Sequence, residues 1–163
     1  MIDGVVKMLA DRGVTVSDMA ELVYELQKSY HPDLEMDECE ESVRRVLGKR
    51  EVQHALYTGI ALDVLAEQKA LPQPLQDIME QDEPLYGVDE ILALSVTNVY
   101  GSIAMTNFGY LDKKKSGIIG VLNSHNGNIH VFLDDLVASL VASAAARIAH
   151  HRHAMSYADP AED

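Results

Sequence analysis

Twenty-one consecutive residues without a formal charge, Ile91–Leu111, constrain this chain more than any other stretch. Charged residues make up 24% of the sequence, so a run of this length reads as a segment that must be buried. Acids stand at both of its ends, Asp89-Glu90 before it and Asp112 directly after it. A second acidic pair, in Phe132-Leu133-Asp134-Asp135, heads another apolar stretch. Carboxylates bordering buried segments are costly unless they are hydrogen-bonded, paired or neutralised by a cation.

The uncharged run is long enough to span a bilayer. It carries Ser95, Thr97, Asn98, Ser102, Thr106 and Asn107, however, and a hydroxyl-rich apolar helix better suits the centre of a soluble helical domain. Ile91–Ala104 is therefore expected to be a central helix, with bends at Gly109, Gly117, Gly120 and Asn126-Gly127 beyond it.

The rest of the chain reads as amphipathic helices. Val5–Arg12 is followed by Gly13, and Thr15 with Asp18 fits an N-terminal cap for a helix running to about Tyr30. His31-Pro32-Asp33 breaks that helix. Glu38–Leu47 presents Val43, Val46 and Leu47 inward. Arg50–Lys69 presents Val52, Leu56, Ile60, Leu62 and Leu65. A short helix to about Gln81 follows the turn Leu71-Pro72-Gln73-Pro74. The clearest helix is about Ile129–His151, striped by Phe132, Leu133, Leu136, Val137, Leu140, Ala144 and Ile148, with a small-residue side at Ala138, Ser139, Ala142 and Ala145. Ala154–Asp163 reads as a frayed tail. No strand shows convincing alternation. The expectation is an all-α single domain over 1–163, with about six or more helices packed around Ile91–Ala104.

A formal net charge of −13 disfavours nucleic acid and an anionic membrane surface, allowing at most peripheral membrane contact, and is compatible with divalent cations. Cys39 is the only cysteine, which excludes an intrachain disulfide and suits a reducing cytoplasm. Met1-Ile2-Asp3-Gly4 lacks the basic and apolar regions of a signal peptide, so a soluble cytoplasmic protein is expected. Cys39 and Arg45 have the Cys-x5-Arg spacing of thiol phosphatases, but Glu40 and Glu41 would repel phosphate and the segment is helical in pattern. His150, His151 and His153 fit a helix end better than a metal site. Lys113-Lys114-Lys115 is the only basic run.

Asp82, Asp89, Glu90, Asp112, Asp134 and Asp135 remain. Oxygen ligands without His or Cys suit a hard cation, magnesium first and manganese or calcium next. Acidic pairs also stabilise helix starts, so Asp89 or Asp134 taken singly reads as a cap. Asp135 falls beside the small face of Ala138, Ser139 and Ala142.

Three blocks resemble the phosphatidylglycerophosphatase A family, in particular its small soluble, YutG-like branch. Asp82-Glu83-Pro84-Leu85-Tyr86-Gly87-Val88-Asp89-Glu90 is similar to the family's Asp, six residues, then Asp-Glu. Leu111-Asp112-Lys113-Lys114-Lys115-Ser116 resembles its Leu/Phe-Asp-x-x-Lys-Pro. Phe132-Leu133-Asp134-Asp135-Leu136-Val137-Ala138 resembles its Asp-Asp-hydrophobic-Val-Ala-Gly helix. The likeness covers roughly Asp82–Arg147. Ser116 replaces the expected Pro, Ser139 the expected Gly, and the membrane members' Gly-Thr-x-Gly-Ser motif is missing, Thr58-Gly59 being too little to count.

The resemblance implies an all-α, magnesium-dependent phosphatase of phosphomonoesters, its substrate a phosphorylated small molecule or a lipid head group. Asp89, Glu90, Asp134 and Asp135 would be the catalytic and metal-holding residues. Lys115, and after it Lys49 or Arg50, would meet the phosphate. Asp112 ranks below the two pairs. An unbroken helix would hold it about 33 Å from Glu90, so either the chain breaks near Gly101 or Asn107–Gly109, or Asp112 joins a neighbouring subunit's site or is structural. A non-catalytic interaction module with the same fold and an all-α nucleotide pyrophosphohydrolase are the alternatives. A homo-oligomer is expected from the small-residue face and the uncharged segment.

Overall fold

The computed structural model describes residues 2–124 and 127–157, and all the regular structure in them is helical. The helices are α1 (Ile2–Asp11), α2 (Val16–Gln27), α3 (Met36–Leu47), α4 (Arg50–Glu67), α5 (Leu75–Gln81), α6 (Val88–Thr97), α7 (Ser102–Lys114), α8 (Gly117–Asn123) and α9 (Leu133–Tyr157). The all-α class expected from the apolar spacing is what the chain adopts.

Local chemistry sets several boundaries. Thr15 Oγ1 accepts the Asp18 N–H at 3.1 Å, and Asp18 Oδ2 accepts the Thr15 N–H at 2.8 Å, so a capping box starts α2. α2 closes at Gln27 rather than Tyr30, because the Gln27 carbonyl takes the N–H groups of both Tyr30 and His31. On α4, Val52, Leu56 and Ile60 are buried as expected. Leu65, however, is exposed and Leu62 half-buried, while Gly59 and Asp63 take the inward face.

The helix at the centre is α9, not Ile91–Ala104. Every residue from 131 to 146 is buried, and α2, α3, α4, α6, α7 and α8 all pack on α9. An apolar surface on all sides is the mark of a core helix, and α9 has it. Its small residues Ala138, Ser139, Ala142 and Ala145 are inaccessible to solvent, which lets neighbouring helices approach closely. Ser42 Oγ on α3 donates to the Ala144 carbonyl at 2.8 Å. At the far end Arg152 donates to Glu38 and Asp33. α9 continues through Ala154–Tyr157, which the sequence assigns to a frayed tail, and 158–163 lie outside the described residues.

Ile91–Ala104 is instead divided. α6 ends at Thr97, whose carbonyl accepts the N–H groups of Tyr100 and Gly101, and α7 begins at Ser102. Gly101 sits at φ 82°, ψ −160°, a conformation open essentially to glycine alone. The uncharged run thus forms a helical hairpin on one side of α9. Ile91, Val99 and Ile103 are exposed on it, while Ala93, Val96 and Ala104 face inward. The stretch expected to be irregular also contains α8, and Asn126 lies outside the described residues.

Candidate metal centre

The first turn of α9 presents backbone N–H groups that its own helix cannot satisfy. Asp63, fully buried on α4, supplies the acceptors: Oδ1 takes the Phe132 N–H and Oδ2 the Leu133 N–H, each at 3.0 Å. Burial pushes the Asp63 carboxyl up to about 7, against the two backbone hydrogen bonds and the charge of Arg12. One turn along α4, Glu67 accepts the Ile129 N–H at 2.8 Å and both Arg12 guanidinium nitrogens, at 3.0 and 2.5 Å. Arg12 also donates to the Ile129 carbonyl at 2.9 Å. These contacts keep Ile129–Phe132 outside the helix that the apolar stripe alone would extend over it.

The close approach of α4 requires Gly59. A Cβ there would lie 2.5 Å from Leu136 Cδ1 and 3.0 Å from Phe132 Cβ. The start of α9, and with it Asp134 and Asp135, is therefore positioned from α4.

The α6–α7 hairpin delivers the remaining carboxylates. Asp89 continues the inward stripe of Ala93 and Val96, and Asp112 that of Ala104, Phe108 and Leu111. From Asp89 the chain climbs about 12 Å to the turn and descends about 15 Å to Asp112, so the two acids return to one level. There they meet Asp135, which is 4% exposed and has Asp89 and Asp112 both within hydrogen-bonding reach of its carboxyl. Burial, then the charge of Asp134 and the contact with Asp89, push the Asp135 carboxyl far above the carboxylate range.

Asp134 is also buried, and its Oδ1 accepts the N–H of Asp135 at 2.8 Å. Burial pushes its carboxyl upward as well, opposed by Lys115. Lys115 Nζ donates to Asp112 Oδ1 at 2.9 Å and lies 3.4 Å from Asp134 Oδ2. Burial works against its charge, but the bond to Asp112 and the surrounding carboxylates outweigh burial and hold the ammonium above the ordinary lysine range. A hollow of about 30 Å³ opens beside Asp134, with Asp82 and His130 among its walls.

The structure thus brings together Asp89, Asp112, Asp134, Asp135 and Lys115. Asp112, ranked low because of its distance along an unbroken helix, joins because the hairpin turns at Gly101. Glu90 faces away, exposed on α6. Lys49 and Arg50 stand at the opposite end of α4, about 20 Å of helix from Asp63, and do not reach the cluster. Cys39 is buried within α3 and burial raises its thiol to about 11, so it offers no thiolate. Asp63 is absent from the sequence reading. Its signal was a lone acid one turn after Gly59-Ile60 on an apolar face.

Four carboxylates share this site with one ammonium. As they stand, no three acidic, histidine or cysteine groups among the described residues are arranged around one point as an ion site, and Asp112 and Asp134 are turned towards Lys115. The donor chemistry nevertheless fits a hard divalent cation. Asp135 touches two further carboxylates in a buried setting, an arrangement that needs a shared proton or a cation to relieve it.

Comparison with known proteins gives this arrangement a lineage. The chain is 60% identical over 147 residues to the uncharacterized protein YutG of Bacillus subtilis, spanning 89% of each. It is 58% identical over 150 residues to the uncharacterized protein YpjQ of the same organism, spanning 92% of this chain and 85% of YpjQ. The crystal structure of B. subtilis YpjQ superposes with a TM-score of 0.90 at 56% identity, covering 94% of this chain and 96% of that one. The low temperature requirement C protein from Listeria monocytogenes matches equally, with a TM-score of 0.90 at 56% identity over 93% and 96% of the two chains. The family model for phosphatidylglycerophosphatase A matches residues 5–150, so the likeness seen in the sequence over Asp82–Arg147 extends through the N-terminal helices. With α4 and its Asp63 inside the matched region along with all four clustered carboxylates, the chain belongs to the phosphatidylglycerophosphatase A family.

Proposed function

We propose that this protein is a divalent-metal-dependent phosphatase that hydrolyses a phosphomonoester, either a phosphatidylglycerophosphate-like lipid or a soluble phosphate. The observation that carries the reading is that Asp89 on α6 and Asp112 on α7 each come within hydrogen-bonding reach of the buried Asp135 on α9, with Asp134 beside it. Nothing in the packing of three helices requires their acids to converge, and leaving them together uncompensated is destabilising.

Asp89, Asp112, Asp134 and Asp135 would hold one or two cations, magnesium first and manganese or calcium next. A bound divalent cation supplies Lewis-acid polarisation of a phosphoryl oxygen and a water of lowered pKa. Lys115, part-exposed at the rim, turns its ammonium from Asp134 to the phosphate and offsets charge that develops there. Asp63 holds the first turn of α9, and through it the direction of the Asp134 and Asp135 side chains. Cytoplasmic placement belongs to the same reading, and among the described residues no helix is long and apolar enough to cross a membrane.

Phosphate release from phosphatidylglycerophosphate and from a panel of soluble phosphomonoesters, with and without magnesium, tests the proposal. Wild type turns over in a metal-dependent manner and Asp135→Asn does not. Magnesium-independent turnover, or equal turnover by Asp135→Asn, overturns it. The absence of both turnover on every substrate and metal binding favours a non-catalytic module built on the same fold.

A further inference from the structure

Only one side of the uncharged run enters the core, through Ala93, Val96, Phe108 and Leu111. Large apolar side chains stand exposed along its hairpin: Ile91 at 67%, Val99 at 46%, Ile103 at 38%, Met105 at 48% and Tyr110 at 50%. Nothing lies within 4 Å of where a Cβ on Gly101 or Gly109 would be, so the outer side of α7 is open to close approach. Across Ser102–Leu111 this surface carries no charge, although the chain as a whole carries −13.

Polar groups of the same region are also unsatisfied. Of the buried side-chain atoms without a hydrogen-bond partner among the described residues, Tyr100 Oη and Asn107 Nδ2 both belong to the hairpin. Asn107, with Ile103 and Tyr110, lines one wall of a groove of about 1540 Å³ between α7, the end of α2, α3 and the C-terminal half of α9, and Glu25 and Glu41 line it as well. Arg147 lines the opposite wall, half-buried and near enough for its charge to act on Tyr100. Among the described residues no carboxylate forms an ion pair with Arg147. This groove is separate from the acidic cluster, since Arg147 follows Asp135 by twelve residues, about 18 Å along α9.

We infer that the outer face of α7 and the groove beside it form a homodimer interface, covered by a second copy of this chain. Charge selects that occupant. A chain of net charge −13 repels its own copy across most of its surface, and repulsion vanishes only where the surface is neutral. An isologous contact sets like surface against like, which an uncharged face permits. The groove also carries the complement that Arg147 lacks, because a second copy brings its own Glu25 and Glu41 to that guanidinium. A polyanion or an anionic bilayer would meet the net charge of the whole molecule. The dimer stands apart from the phosphatase chemistry and is measured without substrate or metal.

Sedimentation equilibrium of the full chain at tens of micromolar reads the mass directly. The expected result is twice the 18.0 kDa of one chain for wild type and a single chain mass for Met105→Glu, with unchanged helical circular dichroism. Ile103→Lys, another surface substitution, gives the same loss should Met105→Glu fold poorly. A monomeric wild type overturns the proposal. So does a wild-type dimer that survives both substitutions with its affinity changed by less than about threefold.

Discussion

The carboxyl of Asp135, in the first turn of α9, lies within hydrogen-bonding reach of Asp112, in the last turn of α7. Burial, the charge of Asp134 and the nearness of Asp89 and Asp112 together raise the affinity of the Asp135 carboxyl for a proton. The cluster is a liability to the fold unless something positive occupies it, and that asymmetry makes its role measurable.

Magnesium is expected to stabilise the wild-type protein. At a hundredfold excess over the dissociation constant the gain is about 2.7 kcal/mol, or several degrees in Tm. Thermal unfolding with EDTA, Mg2+, Mn2+ and Ca2+ reads it. A Tm indifferent to all three cations removes the metal-ligand assignment.

Asp135→Asn is expected to raise stability in EDTA by about 1–2 kcal/mol, since the buried carboxyl must take up a proton on folding and the amide need not. The same variant loses the magnesium-induced gain. Urea unfolding in EDTA is the measurement, and a less stable variant would show that the carboxylate is compensated within the chain.

Asp63→Ala leaves the Phe132 and Leu133 N–H groups without acceptors and is expected to cost about 2–4 kcal/mol. Hydrogen exchange would show the loss concentrated in the first turn of α9. Protection there equal to wild type would mean that α4 does not position the acidic pair.

The pH dependence of Asp63 has a definite sign. Its folded value of about 7 lies above the ordinary 3.8, so the folded chain binds the extra proton. The stability it contributes is full below about pH 4 and is lost as pH rises through 7, at up to about 1.4 kcal/mol per pH unit. Arg12, Asp134 and Tyr86 are the ionisable groups that act on it. Between pH 7.5 and 5.5 wild type therefore gains about 1–2 kcal/mol relative to Asp63→Asn, whose side chain does not titrate. Paired urea titrations at the two pH values decide it, and an opposite slope would show that the backbone hydrogen bonds outweigh burial.

Gly59→Ala drives a Cβ into Leu136 and Phe132 and is expected to cost about 1–3 kcal/mol. Magnesium affinity should fall with it, because the contact displaces the first turn of α9. Unchanged affinity in a destabilised variant would separate packing from the site.

Much of this architecture was legible along the chain. Helical spacing of Val43, Val46 and Leu47, the Thr15–Asp18 cap and the long stripe of α9 are written in neighbouring residues, because i, i+3 and i+4 contacts depend only on local geometry. The acidic pairs were visible for the same reason, as charges placed where an apolar segment begins. Family resemblance reached across those blocks and named Asp89, Asp134 and Asp135, which the fold brings together, along with Glu90, which it turns outward.

What the sequence could not decide is which apolar segment becomes the centre. Ile91–Leu111 and α9 are both poor in charge, and absence of charge does not say whether a face meets the core or another surface. The fold placed α9 inside and turned the other run into a hairpin at Gly101, where a φ of 82° sends the chain back on itself. That one turn brings Asp112 to Asp135 and faces Glu90 outward. Asp63 was hidden for a related reason: its partners lie 69 and 70 residues away, and a hydrogen bond between helices leaves no periodic trace in either. Local physics determined the helices and their acidic ends, and only the packing of α4, α6, α7 and α9 decided which acids share one space.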